Sequence, residues 1–294
     1  MNAAYRMELL QLLEEAPALF YGAVVVLGLV MGSFLNVVIH RLPVILKNNW
    51  SRQCRELLEP DHEQESAENP PYNLLRPASH CPACGHRIRV IENIPVASYL
   101  FLRGRCAACR VRIPVRYPLV EISTAILSLV TAMHFGYSQQ TLAALAFTWM
   151  MIPLCVIDYD TQLLPDCLTL PLLWAGLALS LAGVFVDSQT SIIGALSGYL
   201  CLWAVYHLFK LATGKEGMGY GDFKLLAAIG AWVGWQALPV VILFSSVVGA
   251  TTGIFLILVK GRQRGQPIPF GPFLASAGWI TLLWGQSILD LYLH

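Results

Sequence analysis

The apolar residues of this chain fall into long blocks separated by short polar segments. A helix needs about 20 apolar residues to cross the hydrocarbon core of a bilayer. The first five predicted spans lie at about 18–39, 118–135, 142–157, 168–186 and 192–211. The run from 225 to 259 is too long for one crossing, so we divide it at Pro239 into a sixth and a seventh span. An eighth span ends near Leu289. We therefore predict an all-α polytopic membrane protein with about eight transmembrane helices.

A polar insert follows the first span. Residues 40–43 are expected to end that span, and residues 44–116 are rich in charges and prolines. The acidic stretch between residues 56 and 68 is typical of a solvated linker. The predicted domains are a first helix with its N-terminal lead (1–43), the insert (44–116) and a transmembrane domain (117–294).

Composition and charge support this architecture and give it a direction. Charged residues make up 13% of the chain, against about 25% in soluble domains. With eight spans, all but Arg6 of the 19 lysines and arginines fall on one side of the membrane. Because cytoplasmic loops carry the excess of basic residues, the insert is predicted to be cytoplasmic. A net charge of +1 without a basic and aromatic stripe gives no indication of nucleic-acid binding.

Two C-x-x-C pairs lie in the insert. Cys81 and Cys84 form the first pair, Cys106 and Cys109 form the second, and 21 residues separate them. This is close to the spacing of a four-cysteine zinc site, and four thiolates give the closed shell of a structural zinc. The alternative is two disulfides, but a reducing cytoplasmic compartment favours zinc. A metal would also stabilise an insert that is poor in apolar residues.

Two aspartates at the ends of predicted helices are candidates for a catalytic pair. Asp158 follows the third span, and Asp222 leads into the sixth. Two carboxyl groups that share one proton can activate water, one as a base and the other as an acid. A helix bundle can bring two such helix ends face to face. The alternative is that Asp222, like Asp160 and Asp166, is an N-cap, a common role for Asp at a helix start.

The glycines around Asp222 favour the catalytic interpretation. Gly217, Gly219 and Gly221 are unfavourable in a helix because glycine loses the most backbone entropy on ordering. A cap does not require them, whereas an extended peptide laid against bare backbone would. Lys224 follows Asp222 by two residues. It is placed to hold a leaving carboxylate, to tune Asp222 or to extend to the surface.

Several motifs together resemble the type IV prepilin peptidases. They occur in the family's order and extend over nearly the whole chain. The motifs are residues 32–43 (GSFLNVVIHRLP), the two cysteine pairs, residues 158–166, residues 217–224 (GMGYGDFK) and residues 267–272. The resemblance implies a GxGD-type intramembrane aspartyl protease of the bacterial inner membrane, with its active site facing the cytoplasm.

The resemblance also implies residue roles and a substrate. Asp158 and Asp222 would be the catalytic pair, and the residues around them would be supporting: Gly219, Gly221, Lys224, Asp160 and Asp166. The substrates would be type IV prepilins and type II secretion pseudopilins. The enzyme would cleave them at the cytoplasmic face, after the glycine that ends a short basic leader.

A second activity, methyl transfer, rests on the resemblance alone. Family members with the four-cysteine insert also methylate the new N-terminal residue, usually Phe, with S-adenosylmethionine. Gly104 matches a family position that we link to this reaction. The chain has no strand followed by G-x-G-x-x-G and a helix, so the usual nucleotide-binding motif is absent from the sequence.

Two other classes of protein fit parts of the pattern. A transporter with a proton relay usually places charges near mid-span and often contains inverted repeats, whereas these acids lie at helix ends. A non-catalytic assembly subunit with a zinc-ribbon docking module would need no carboxylate pair. Prepilin processing by Asp158→Asn and Asp222→Asn variants separates these hypotheses from the protease.

Overall fold

Helices make up most of the described chain. A computed structural model describes residues 16–58, 72–260 and 268–293, and these ranges contain isolated β-bridges but no strand. Each of the eight predicted apolar segments corresponds to a helix, and one short helix lies in the insert. The helices are α1 (Pro17–Leu58), α2 (Ala97–Phe101), α3 (Arg116–Phe135), α4 (Gln139–Thr161), α5 (Asp166–Leu181), α6 (Ser188–Thr213), α7 (Tyr220–Val233), α8 (Leu238–Lys260) and α9 (Gly271–Leu293).

Several of these helices have the length and composition of membrane spans. Among the described residues, five segments are long and apolar enough to cross a bilayer: α1, α3, α4, α6 and Trp235–Leu256, which contains most of α8. Helix α5 is apolar but shorter. The predicted all-α membrane architecture is thus confirmed, while the number of crossings, eight, stays a prediction.

Helix α1 is longer than the sequence indicated. The prediction that residues 40–43 end the helix is wrong, because α1 continues through Pro43 to Leu58 over 42 residues. Such a helix is about 63 Å long, roughly twice the thickness of a hydrocarbon core. The change to polar residues marks the end of the apolar segment, not the end of the helix. Most of the acidic stretch lies in 59–71, outside the described residues.

The break between the sixth and seventh predicted spans lies at a glycine. We expected it at Pro239, but α7 ends at Val233 and Gly234 adopts a φ of +80°, which favours glycine. A short 3₁₀ turn, Trp235–Ala237, then leads into α8. Pro239 is the second residue of α8, where its missing N–H removes no helical hydrogen bond.

The chain forms two compact units, residues 1–133 and 134–294. In the first unit, α1 approaches the backbone of α3 through two glycines one helical turn apart. A Cβ on Gly32 would lie 2.6 Å from the Cα of Glu121, and one on Gly28 would lie 2.8 Å from the Cα of Ala125. Small residues at this spacing let membrane helices pack closely. The predicted division into 1–43, 44–116 and 117–294 stays a prediction.

In the second unit, α7 is the most enclosed helix. With 14 residues it is about 21 Å long, and nearly all its side chains from Asp222 to Trp232 are buried. The Trp232 indole N–H donates to the Leu172 carbonyl of α5 at 2.8 Å. A Cβ on Gly194 of α6 would overlap the Gly230 carbonyl of α7. Helices α5, α6 and α9 all pack on α7, so the start of α7 is held firmly.

We expect Gly230→Ala to destabilise the second unit. The new methyl group would overlap the Gly194 carbonyl, and α6 and α7 would have to separate. Overpacking of this kind costs about 1–3 kcal/mol, so the thermal unfolding midpoint in detergent should fall. Gly22→Ala is the control, because its Cβ would have no atom within 4 Å. Equal midpoints for the two variants would contradict the close approach of α6 and α7.

Candidate active site

Asp158 lies in the last turn of α4 and is buried. It is 5% exposed, and the N–H of Gly271, at the start of α9, donates to its Oδ2 at 2.9 Å. The bond joins residues 113 positions apart in the sequence. A Cβ on Gly271 would lie 2.7 Å from the same oxygen. The backbone of α9 therefore reaches Asp158 because residue 271 has no side chain.

Asp222 lies in the first turn of α7 and is also buried, at 7% exposed. Within the described ranges, its Oδ1 is buried without a hydrogen-bond partner. Its backbone N–H donates to the Gly219 carbonyl at 3.2 Å. Gly219 is the N-cap residue of α7, so the alternative reading of Asp222 as an N-cap is wrong.

The other two aspartates are not N-caps either. Asp166 is the first residue of α5, where Pro165 holds the N-cap position without a side-chain bond. Asp160 lies near the end of α4 and is exposed. Side chains that do cap described helices include those of Ser138, before α4, and Asp187, before α6.

The structure brings Asp158 and Asp222 together. Their carboxyl groups are close enough to interact electrostatically, although the residues lie on different helices and 64 positions apart. Two buried carboxyl groups in one place cannot both carry a charge at low cost, so a shared proton is the expected state. This is the arrangement that activation of water requires, and the catalytic role of the pair stays a prediction.

The glycines of the GxGD segment have different structural roles. A Cβ on Gly221 would lie 2.7 Å from the Cβ of Leu164, and one on Gly217 would lie 2.9 Å from the Phe209 ring. These two glycines therefore allow neighbouring residues to pack closely. The sequence analysis had explained the missing side chains only by the need to admit a substrate peptide. Gly219 is different, because its Cβ would meet only Asp222 Oδ2, at 3.9 Å, and Gly221 N, at 4.0 Å. Gly219 is the glycine with open space beside the carboxyl group.

Lys224 forms an ion pair with Asp166. Its Nζ lies 2.7 Å from both carboxylate oxygens, and both side chains are partly exposed. This contact is none of the three roles considered for Lys224 in the sequence analysis. It is a bridge between the starts of α5 and α7. A partly exposed pair contributes about 1 kcal/mol or less. The pair therefore joins the starts of α5 and α7 but adds little to the stability of the fold.

Sequence reasoning missed the contacts of Gly271 and Leu164. Gly271 belongs to the segment 267–272, which was noted as a motif without a role. The sequence feature nearest to Gly271 that carries structural information is Pro272, because proline favours the start of a helix. No periodicity or spacing indicates that the N–H of Gly271 faces Asp158, since that contact depends on how α4 and α9 pack.

The four predicted cysteines converge in the first unit. One sulfur from each of Cys81, Cys84, Cys106 and Cys109 lies within 4.8 Å of the others, and the four are free of disulfides. The Sγ atoms of Cys81 and Cys109 are 3.8 Å apart. Zinc–sulfur bonds of about 2.3 Å in a tetrahedron place neighbouring sulfurs about 3.8 Å apart. The cluster therefore fits a metal ion with four thiolate ligands.

Each cysteine pair forms a tight turn of the same kind. The N–H of Gly85 donates to the Cys81 carbonyl at 2.9 Å, and that of Arg110 donates to the Cys106 carbonyl at 3.1 Å. Both turns need a positive φ, +70° at Gly85 and +61° at Arg110. Backbone hydrogen bonds from Ala83 and Cys84 lower the pKa of Cys81 to about 7. At Cys81 this favours the thiolate, the form that binds metal, whereas burial and the neighbouring cysteine thiols raise the pKa of Cys84 to about 12 when no metal is bound.

Comparison with known proteins gives matches along the whole chain. Residues 26–135 match the bacterial peptidase A24 N-terminal domain, and residues 145–254 match the type IV leader peptidase family. A protein of Aeromonas hydrophila named prepilin leader peptidase/N-methyltransferase is 56% identical over 285 residues, 97% of this chain and 98% of its own length. The chain belongs to the type IV leader peptidase family.

Other relatives of the same name support this membership. The Pseudomonas aeruginosa protein is 53% identical over 98% of both chains. The Dichelobacter nodosus protein is 50% identical over 96% of this chain and 97% of its own. No solved structure matches this leader peptidase family member.

Gly104 lies within the match to the N-terminal domain and packs against Tyr99. It is buried, has a φ of +66°, and its Cβ would lie 2.8 Å from the Tyr99 hydroxyl oxygen. Its N–H donates to the Tyr99 carbonyl, and its own carbonyl accepts from Ile113, both at 2.8 Å. These contacts give Gly104 a structural role beside the second cysteine pair. Its link to methyl transfer stays a prediction.

We expect one metal ion per chain at the cysteine cluster. The double variant Cys81→Ser, Cys84→Ser removes two of the four thiolates and should lose the metal, because serine hydroxyls are poor zinc ligands at neutral pH. Metal analysis of the purified proteins measures this. Cys54→Ser is the control, since Cys54 lies on α1 and outside the cluster. Full occupancy in the double variant would reject the site.

We expect the Lys224–Asp166 pair to act as one unit. Lys224→Met and Asp166→Asn should each lower the rate of prepilin cleavage about two- to fivefold, the worth of a partly exposed pair. The double variant should be no slower than either single one, because both changes break the same contact. Cleavage assays in detergent measure the three rates. A much larger loss in Lys224→Met than in Asp166→Asn would mean that Lys224 acts elsewhere.

Proposed function

We propose that this protein cleaves the leader peptide of type IV prepilins and type II secretion pseudopilins, after the glycine that ends it. We also propose that it methylates the new N-terminal residue, usually Phe. The printed names of the relatives support both activities. The observation that carries the protease is the buried pair Asp158 and Asp222, at which the ends of two helices meet.

Hydrolysis by the pair needs one proton to be shared and then moved. One carboxylate takes a proton from a water molecule, whose oxygen attacks the carbonyl carbon of the scissile peptide bond. The other carboxyl group donates its proton to the carbonyl oxygen. When the tetrahedral intermediate collapses, the carbon–nitrogen bond breaks and the leaving amine takes the proton that the first carboxyl group accepted from water. The second carboxylate recovers a proton from a hydroxyl of the intermediate, so the pair again holds one proton. The products are the leader, ending in a carboxylate, and the mature chain with a free amine.

The surroundings of Asp222 suit this reaction. Its Oδ1 is buried and has no hydrogen-bond partner in the described part of the chain. An unpaired buried oxygen is costly unless something hydrogen-bonds to it, and a water molecule or a substrate carbonyl would do so here. Removal of bulk water also strengthens the electrostatic interactions that stabilise charge in the transition state.

The substrate would meet the pair as an extended peptide. A prepilin carries a hydrophobic helix, and its cleavage site must unwind, because a helical amide is shielded by its own hydrogen bonds. Gly219 offers open backbone one turn before Asp222. Main-chain pairing along such a segment is a common mode of peptide recognition. We assign Gly219 to substrate contact, and Gly221, Lys224 and Asp166 to positioning of α7. Asp160, which is exposed, is assigned to local support.

Methyl transfer would take place on the amine that cleavage releases. S-adenosylmethionine would supply the methyl group, and the amine must lose its proton before it can attack. Gly104 is the residue of this chain that we link to the reaction, and it shapes the backbone between Tyr99 and the second cysteine pair. We assign this activity to the first unit, which contains the match to the N-terminal domain.

The metal of the cysteine cluster is proposed to be zinc with a structural role. Four thiolates leave no open position for a water molecule, so the site would not perform hydrolysis. It would instead stabilise the insert, in which described apolar side chains such as Val90, Ile91 and Phe101 are largely exposed. A small segment without a good apolar core commonly depends on such a metal.

We place the protein in the bacterial inner membrane with the catalytic pair towards the cytoplasm. The basic residues carry this orientation, since nearly all lie in segments predicted to share one side of the bilayer. Lys210, Lys215 and Lys224 surround the GxGD segment itself. Prepilin leaders are exposed on the same side, so the substrate and the pair would meet there.

We expect Asp158→Asn and Asp222→Asn each to abolish prepilin processing. An amide can neither accept the proton of the attacking water nor donate as a carboxylic acid does. Loss of an acid or base lowers the rate by about 10² to 10⁴. Gel mobility of a prepilin expressed with each variant measures processing, and methylation of an already mature pilin should persist. Asp290→Asn, at an exposed site of α9, should process normally. Normal processing by both active-site variants would exclude the proposed protease.

A further inference from the structure

Asp158 occupies an unfavourable place for a negative charge. It lies three residues before the end of α4, which is the negative end of the helix dipole. It is also buried, at 5% exposed. A carboxylate that is to take a proton from water needs an opposing positive field at this position.

The start of α9 supplies that field. Gly271 is the first residue of a 23-residue helix, whose first N–H groups have no partner within the helix. The N–H of Gly271 donates to Oδ2 of Asp158 at 2.9 Å. In the same turn, the N–H groups of Phe273 and Leu274 donate to the Phe270 carbonyl, both at 3.1 Å. Of these three donors, only that of Gly271 is directed at the carboxyl group.

The contact is selective for glycine. A Cβ at residue 271 would lie 2.7 Å from Oδ2, 3.0 Å from Cγ and 3.2 Å from Cβ of Asp158. Any larger residue would push α9 away or turn the carboxyl group. The backbone approach and the orientation of Asp158 therefore depend on the same missing side chain.

We propose that Gly271 is a positioning residue for the peptidase reaction. Its N–H holds Oδ2 of Asp158 and brings the positive end of α9 to the carboxylate, which leaves Oδ1 free of this bond and able to take the proton of a water molecule. The inference rests on the proposed function, because it assumes that Asp158 takes part in hydrolysis. It adds α9 to the elements that build the site, beside α4 and α7.

The test removes the N–H and keeps the shape. Glycolic acid in place of Gly271, introduced by cell-free synthesis, converts the amide into an ester without adding an atom at Cα. Charge-assisted hydrogen bonds are worth enough to change a rate about 10- to 100-fold. We expect kcat for a prepilin in vesicles to fall by that factor, with KM unchanged within about twofold.

The matched control is the same change at Leu274. Leucic acid there removes an N–H from the same turn of α9, and that N–H donates to Phe270, not to Asp158. The control should keep kcat within about twofold of the unmodified protein. Equal losses for both esters would overturn the proposal, because general weakening of α9 would explain them. A change in KM alone would also overturn it, since the N–H would then act on substrate binding.

A conventional variant provides a second measurement. Gly271→Ala introduces the Cβ that collides with Asp158, so kcat should fall at least as far as with the ester, while the metal content of the first unit should stay unchanged. Normal kcat in Gly271→Ala would contradict the close approach.

Asp158→Asn, assayed in parallel, distinguishes failure of the positioning role of Gly271 from failure of the proposed protease. If Asp158→Asn is inactive while the Gly271 ester is normal, the protease stands and the positioning role fails. If Asp158→Asn is active, the proposed function fails.

Discussion

Two carboxyl groups buried in one place are the constraint on which this structure depends. Such a pair is unfavourable unless its charge is shared and its oxygens are hydrogen-bonded. At Asp158 the chain meets this condition with a backbone N–H, whereas Oδ1 of Asp222 is buried without a hydrogen-bond partner among the described residues. An N–H of α9 reaches Asp158, and Asp222 lies in the first turn of α7, which follows the glycine-rich segment. Two helices begin and one ends near this pair, and the glycines at 221 and 271 allow the close approach there.

The burial of α7 follows from that constraint. With 14 residues, this helix is shorter than a bilayer core, so it depends on its neighbours for an apolar environment. Glycines on α6 and α7 bring the two backbones into contact, and Trp232 fixes the far end of α7 against α5. The near end is held by the Lys224–Asp166 bridge. Rigid packing along α7 is what allows a carboxyl group at its first turn to stay in register with Asp158.

The first unit solves a different problem. Its insert contains few buried apolar side chains, and two short turns bring four cysteine sulfurs together in their place. The same kind of turn appears twice, with glycine at residue 85 and arginine at residue 110. The strain of a positive φ in arginine is tolerated because the turn is required to direct the thiolates.

Sequence alone predicted the elements that depend on composition and local spacing. The apolar blocks gave the helices, and the two C-x-x-C pairs gave the cysteine cluster. Three features could not be predicted, because they depend on tertiary packing. Helix α1 continues beyond its apolar part to Leu58, Gly271 donates to a residue 113 positions away, and Lys224 pairs with Asp166. For Gly271 and Lys224 the partner is distant in the sequence, and for α1 the helix continues where the apolar pattern has already ended.

The central claim, that Asp158 and Asp222 act together on one water molecule, is tested most directly by the double variant Asp158→Asn, Asp222→Asn. Single-turnover cleavage over long incubations compares it with the two single variants. When two residues act as one unit, removing the second costs no further activity once the first has been removed. If the two aspartates act together, the double variant should cleave as fast as the slower single variant. A double variant whose loss equals the product of the two single losses would contradict it.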